Sequence, residues 1–566
     1  MAVKKRQIKG KKKRFKKQSF SRLLKDAIDT GVAFNDPEFR ADDAAIAITT
    51  GYRSKLNVGK IVWKRPREIC TTPHLLFREK LGPATEIRFM GHGLNQWLIA
   101  AACAIAQDKA LVYRIIPKEQ FHFLHGAFKV CLWHCGVWYK ITIDDKLPTY
   151  DNELVFSSSQ CGTLFWVPLL EKAFAKFHGN YEKLSAKGSL KDALTSFTAA
   201  PTEDICIKPS DDEKDYFRLI AEELDKKSLI CAQTRNDIPP EINFKSKRIY
   251  LITSVKKPSS ASFKKSIKES NATLRLVNTI YEEKKRLSVD NFTKTFETLT
   301  ICRLNIDQHK QYAAKSALVN MQFCFDITQD SDEVMLDLYQ NVDEPRNLGF
   351  KIYKVEMNRK YRVHNFSLSS VAYYCEPIKH LSIFRRIKLN FGRYVIVPHC
   401  PDKELKLLLR LYTQKPSHLR VLTSDMPRRN LFSFLSPKYP KYVSKIIVKG
   451  AQGLEKQDRF GSANPYCVIR CRRKAIKSSP VHDTLNPDWN DFSAIFYHGK
   501  SVSIIIEVWH RSFFLNSFVG QAEIIPNSNK DDFSVQEIDL SGRKKDDKRL
   551  GTIRYQIFTS EELTSF

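Results

Sequence analysis

The chain has 566 residues, 42% hydrophobic and 11% aromatic, which suits folded globular domains and excludes disorder throughout. That length is too great for one core and predicts about three to five domains. Lys and Arg number 93 against 62 Asp and Glu, a net charge of +31. A field of that size favours polyanionic partners: nucleic acid, anionic lipid headgroups or acidic protein tails.

The N-terminus is charged with no apolar run after it, so no secretory leader is expected. The longest apolar run, Trp97 to Ala106, falls far short of the ~20 residues that span a bilayer. The thirteen cysteines are odd in number and lack paired metal-type spacing. CLWHC (131–135) and CVIRC (467–471) sit in strand-like segments, where cysteine acts as a small buried hydrophobe. These features predict a soluble chain in a reducing compartment, with no cofactor.

Residues 4–17, KKRQIKGKKKRFKK, read as a disordered basic arm within a leader of residues 1–50. Lys11, Lys12, Lys13 and Arg14 are its candidates for holding a polyanion, and nuclear import is the other use of such a run. FMGHGLNQWLIAA (89–101) has the grammar of an active site, with glycines and a polar pair before an apolar helix. A thiol protease presents its nucleophile there, where the helix N-terminus lowers a cysteine's pKa. Gln96 stands at the presenting position, and a carboxamide is neither ionisable nor nucleophilic.

From about 58 to 190 the pattern is mixed α and β. KVCLWHCGVWYKITIDD (129–145) predicts a hairpin turning near Cys135-Gly136, and FWVPLLEKAFAKFHG (165–179) a helix that stops at Gly179. Residues 200–305 offer a helix, KDYFRLIAEELDKK, and short strands such as RIYLITSV and LRLVN. From about 310 to 425 short alternating strands dominate, among them EVMLDLYQ, GFKIYKVEMN, GRYVIVP and LKLLLRLYTQ, which predicts an all-β sandwich. The linker SPKYPKY (436–442) leads to a second run: VSKIIVKG, PYCVIRC, SVSIIIEVW and TIRYQIF.

Over nearly its whole length the chain resembles the calpain family, in the subgroup that ends in a C2 domain, and is most similar to a non-proteolytic member. KIVWKRPREICTTPHL (60–75), residues 126–156 and residues 165–184 resemble the protease core. FKIYKVEMNRKYRVH (350–364), GRYVIVP and LRVLTSDMP (419–427) resemble the sandwich after it, and ANPYCVI (463–469), TLNPDWN (484–490) and EVWHRSFFLNSFVG (507–520) a C2 domain. The resemblance implies a multidomain α+β chain: a papain-like core followed by two β-sandwiches. The expected boundaries are 51–198 and 199–306 for the core halves, 307–432 for the C2-like domain III, and 437–566 for the C2 domain.

The family's proteases carry Q-G-x-L-G-D-C-W, and the matching segment runs Met90-Gly91-His92-Gly93-Leu94-Asn95-Gln96-Trp97. Met90 removes the oxyanion donor and Gln96 the nucleophile. The histidine of G-H-A-Y-x-V-T is matched by Arg248, which stays protonated and cannot act as a base. The orienting asparagine of R-N-P-W-G is retained as Asn278, followed by Thr279 and Ile280. Cys103 lies about 10.5 Å further along the presenting helix and reads as core, and a Cys70–His92 pair has no defined oxyanion donor.

Calcium control is also expected to be lost. Only EEKKRLSVDN (282–291) remains of an acidic calcium region, and Asn95 replaces an aspartate. Ala199-Ala200 replaces the family's glycine pair between the halves, which would suit a core that no longer closes. In the C2 loops Asp458 is the single remaining carboxylate, with Asn464, His510, Ser512 and Asn516-Ser517 at the other positions, so no calcium is expected. Arg470, Arg472, Arg473, Lys474 and Lys477 form a basic run, with Arg470, Arg472 and Lys474 expected on one strand face.

The expected function is therefore that of a pseudoprotease acting as a cytoplasmic, cytoskeleton-associated interaction protein. Microtubules, with their acidic tails, are the favoured partner; the same charge would serve RNA or phosphoinositides. The alternatives are a calcium-dependent cysteine endopeptidase and a peripheral membrane adaptor working through a calcium-independent C2 domain.

Overall fold

The computed structural model describes the chain except residues 1–11, 48–59, 77–88, 91–94, 118–119, 121–124, 160, 257–272, 279–283, 306–309, 317–320, 343–344, 401–404, 428–438, 458–462, 500–501, 513–514, 527–533 and 545–546. The chain divides into two compact units, Met1–Ile306 and Asp307–Phe566.

In the first unit the expected hairpin is present. Strands Ala127–His134 and Val137–Asp144 pair up to His134 opposite Val137. Cys135 (φ 42°) and Gly136 (φ 77°) form the two-residue turn, both with the positive φ that matches the strands' twist. Helix Trp166–His178 ends at Gly179 (φ 111°) and lies against the hairpin. Every residue from Trp166 to Lys176 is buried, and the apolar ones share one core with the helix Gln96–Ile105.

Of the arm expected to be disordered, residues 12–17 are ordered, and 4–11 lie outside the described residues. Lys12–Arg14 form a strand laid parallel on Trp138–Lys140, and Phe15 packs on Tyr139 and Phe177. Helix Phe20–Thr30 follows, closed by Gly31 (φ 68°). Further on, Asp36 is 2% exposed and accepts from Lys176 Nζ at 2.6 Å, while its N–H donates to Asp144 Oδ2 at 2.7 Å. Asp144 also accepts from Lys172 Nζ at 2.5 Å. Paired aromatics and buried ion pairs supply anchors that the dense Lys/Arg composition conceals.

The second core half is a six-stranded antiparallel sheet. In spatial order its strands are Thr202–Cys206, Phe296–Cys302, Leu229–Thr234, Ile249–Lys256, Thr273–Asn278 and Lys284–Ser288. The expected helix is present as Glu213–Asp225, and its Ile220 shares a core with Ile230, Tyr250 and Ile252. Helix Gln96–Ile105 packs against Leu229–Thr234 and Ile249–Lys256, so Leu98, Ile99 and Cys103 share one core with Cys231, Ile249 and Leu251. The two core halves are therefore in contact.

The second unit holds both sandwiches. In the first, strand Gln322–Gln340 pairs along its length with Ser382–His399. A register shift between Ile327 and Ser331 bends it, so that one end pairs with Arg420–Leu422 and the other with Leu407–Thr413. The second sandwich has eight strands between Tyr442 and Ser560 around a core that includes Ile446, Trp489, Ile506 and Ile553.

A polar seam joins the two. Asn358 donates to Ile495 O at 2.7 Å and accepts from Ile495 N at 2.8 Å. Glu356, Arg359 and Lys445 are buried, with Arg359 Nε 2.6 Å and Lys445 Nζ 2.9 Å from the Glu356 carboxylate. Arg359 also donates to Phe566 O at 3.1 Å, and Lys445 to Leu368 O at 2.7 Å.

Candidate functional site

The site implied by the motifs forms where the presenting helix meets the second-half sheet. Asn95 precedes that helix without capping it, because its side chain turns into the core. Its Nδ2 donates to Glu171 Oε1 at 2.7 Å, and its Oδ1 accepts from Ser185 Oγ at 2.8 Å. Glu171 also accepts from Ser157 N at 2.9 Å and Ser157 Oγ at 2.5 Å. Complete burial pushes the Glu171 carboxyl above its ordinary range, and these hydrogen bonds only partly offset it. Asn95 is thus part of a buried hydrogen-bond network.

Gln96 opens the helix half-buried, with its Oε1 buried and without a hydrogen-bond partner among the described residues. Arg248 stands immediately before strand Ile249–Lys256. Its N–H donates to Thr234 Oγ1 at 2.8 Å and its carbonyl accepts from Thr234 N at 2.9 Å. Asn278 pairs across the strands with Tyr250, two residues beyond Arg248. The fold therefore brings the helix of Gln96 and the strands of Arg248 and Asn278 to one junction. Met90 lies on the two-residue strand Phe89–Met90, paired with Ser158–Ser159. The intervening Gly91–Leu94, and with them His92, lie outside the described residues.

The other thiols are distributed unevenly. Cys103 is buried in the helix. Cys70 is half-buried and its thiol is raised, chiefly by burial and also by charge on Cys161. Cys161, which the sequence reading passed over, is exposed. Burial works against its ionisation, but hydrogen bonds from Thr163, Ser159 and the backbone of Thr163 and Leu164 outweigh it and lower its pKa. A cysteine in the polar turn SSSQCGT was the signal that could have found it.

In the C2 domain Asp458 lies outside the described residues. The remaining loop positions are tied to one another by uncharged groups. Asn464 N–H donates to His510 Nδ1 at 3.0 Å, Asn464 Oδ1 accepts from Asp483 N at 3.1 Å, and Ser517 Oγ donates to Gln457 Oε1 at 3.0 Å. Ser512 and Asn516 lie on the same loop as His510.

The basic run differs from the single strand face expected. Strand Pro465–Cys471 ends before Arg472, and Arg472-Arg473 form a hairpin turn with Arg472 at φ 53°. Lys474 therefore returns opposite Cys471 on the next strand. Arg470 is held by Glu507 at 3.1 and 3.2 Å, whereas Arg472, Arg473 and Lys474 are exposed at the hairpin's end and Lys477 is exposed at the far end of the return strand, opposite Val468. In the leader Lys13 and Arg14 are exposed, Lys12 pairs with Trp138, and Lys11 lies outside the described residues. A cleft of about 490 Å³ in the second unit is lined by Lys354, Lys388, Asp488 and Asp491 among others. Its opposed charges offer no convergent acid–base pair.

Comparison with known proteins agrees with this architecture. The calpain family cysteine protease description matches residues 34–279, calpain large subunit domain III matches 307–412, and the C2 domain matches 443–540. The chain is a calpain-family protein: a calpain-type protease core, domain III and a C-terminal C2 domain in series. It is similar to calpain-5 of Rattus norvegicus, 28% identical over 98% of this chain and 99% of that one. Calpain-5 of Caenorhabditis elegans is 25% identical over 92% and 95%, and calpain-8 of Homo sapiens 37% identical over 33% and 26%. Among solved structures, the C2A domain of a plant extended synaptotagmin 1 covers 21% of this chain and 95% of its own, at 21% identity and a TM-score of 0.20.

Proposed function

We propose that this calpain-family chain is a pseudoprotease, of the same kind as the non-proteolytic calpain six, working as a cytoplasmic interaction protein on the cytoskeleton. The observation that carries the reading is Gln96 at the head of the presenting helix, at the junction that also holds Arg248. A carboxamide cannot attack a peptide, and a guanidinium cannot take up a proton at physiological pH. The favoured partner is the acidic surface of microtubules, supported by the net charge of +31. The exposed Lys13 and Arg14, and the hairpin end carrying Arg472, Arg473 and Lys474, supply local contacts. The neutral ties between the C2 loops support binding without calcium.

The test has two arms. Casein should remain intact with and without calcium, for the native chain and for Gln96→Cys, because triad members act as a unit. Calcium-stimulated cleavage blocked by a thiol reagent would restore the endopeptidase reading. Co-sedimentation with microtubules should weaken steeply with salt, since the Debye length falls from about 10 Å at 0.1 M to ~3 Å at 1 M. Calcium chelation should leave it unchanged.

The hairpin end also favours a second reading, a peripheral membrane adaptor. Flotation with phosphoinositide-containing vesicles in the absence of microtubule binding would select it. Binding to RNA and nuclear import remain further uses of the same charge.

A further inference from the structure

Two segments of the protease core lie side by side and each carries a thiol. His74 N–H donates to Thr163 O at 2.7 Å, and Phe165 N–H donates to His74 O at 3.0 Å. The resulting bridge between His74 and Leu164 is parallel. Cys70 and Cys161 both precede it, so the chain direction places them on the same side of the bridge. Cys161 stands in a tight turn closed by Gly162 N–H donating to Ser159 O at 2.9 Å, with Gly162 at φ 69°. Its Sγ accepts from Thr163 Oγ1 at 3.3 Å and reaches Ser159 Oγ at 3.5 Å.

The two sulfurs are chemically unequal. Cys161 is exposed and surrounded by groups that donate to a thiolate, the setting of a reactive cysteine. Cys70 is half-buried, and burial first, with the Cys161 charge adding, raises its thiol against a hydrogen bond from the Thr72 backbone.

We infer that Cys161 is a peroxide-reactive thiol whose oxidation is captured by Cys70 as an intrachain disulfide. The Cys161 thiolate attacks the distal oxygen of a hydroperoxide, forming the sulfenic acid and releasing alkoxide or hydroxide. The Cys70 sulfur then attacks that sulfur, the S–S bond forms, and the hydroxyl leaves as water with the Cys70 proton. The hydroperoxide is reduced, the two thiols are oxidised, and an external dithiol reverses the bond by exchange. The product fastens the segment after Pro66–Ile69 to the turn beside Ser158–Ser159, the strand that pairs with Phe89–Met90. The reaction is independent of the pseudoprotease reading.

The full reduced chain, given sub-stoichiometric hydrogen peroxide, alkylated and digested, should yield a Cys70–Cys161 linked peptide by mass spectrometry. It should form several-fold faster than any oxidation of Cys206, the other exposed cysteine. Cys70→Ser should leave a sulfenic acid at Cys161 that dimedone traps, and Thr163→Val should slow the oxidation several-fold while leaving the unfolding transition in place. Oxidation of Cys161 no faster than that of Cys206, or capture by a cysteine other than Cys70, would overturn the inference.

Discussion

The head of the presenting helix and the seam between the two sandwiches both bury polar side chains, and they handle charge in opposite ways. At the helix the amides of Asn95 and Gln96 accompany a single buried carboxyl: Asn95 donates to Glu171, and the Gln96 carboxamide oxygen is buried without a partner among the described residues. At the seam, Glu356, Arg359 and Lys445 keep full charges out of water, which is tolerable only because the two cations share the Glu356 carboxylate and donate to backbone carbonyls. The difference teaches where this fold is constrained. An isolated polar group at a helix end can be exchanged singly, whereas a buried ionic cluster has to be kept or replaced whole.

The largest effect is therefore expected at the seam. Glu356→Ala would leave two buried cations without their anion, a loss of roughly 3–5 kcal/mol by analogy with other broken buried pairs. Denaturant unfolding of the whole chain should show it, with the sandwich transition moved and the protease-core transition little changed. Acid should mimic the substitution. Burial opposes the Glu356 charge, but Arg359 and Lys445 outweigh it and hold the carboxyl down at about 2. A depressed folded pKa gives stability that is present above the ordinary glutamate range and lost as pH falls toward 2. A sandwich transition insensitive to pH between about 5 and 2 would show that the cluster contributes little.

The helix head should respond more modestly and with the opposite pH dependence. Asn95→Asp restores the residue of the active family motif, yet it sets a second carboxylate against the buried Glu171. We expect a loss of about 2 kcal/mol at neutral pH, the cost of two like charges forced to share a site. Burial already raises the Glu171 pKa, so its contribution is present below the ordinary glutamate range and declines as pH rises through the raised value. The variant's deficit should therefore shrink on acidification toward about pH 4.5. A deficit that is constant with pH would mean that the introduced carboxylate turns away from Glu171.

The same contrast explains what could be read from the sequence. The hairpin at Cys135-Gly136 and the helix ending at Gly179 were legible because turn chemistry and periodicity are local properties. The order of protease core and two sandwiches was legible through long motif matches. The role of Asn95 was only partly legible, because a motif gives position but not direction, and only the fold shows the side chain aimed at Glu171. Arg470, Arg472 and Lys474 were misplaced because alternation assumes the strand continues, whereas Arg472 at φ 53° turns it back. The leader's anchoring through Phe15 and Asp36 depends on partners more than 100 residues away, Tyr139 and Lys176, and no local pattern encodes it.

The smallest expected effect tests how the two halves of the protease core are joined. Helix Leu190–Thr198 ends at Ala199, which adopts φ 58° while its N–H donates to Thr195 O at 2.8 Å. That is the left-handed conformation in which a Cβ costs roughly 1–2 kcal/mol and glycine nothing. Ala199→Gly would remove that strain while adding unfolded-state entropy of about 0.4–1 kcal/mol, so the net expected gain is about 0.5–1 kcal/mol. Because the presenting helix already packs on Leu229–Thr234 and Ile249–Lys256, the glycine should stabilise the core without opening it. Thermal unfolding should rise slightly and casein should stay intact. A lowered transition would mean that the Ala199 side chain contributes packing worth more than its strain, and that alanine here holds the halves together.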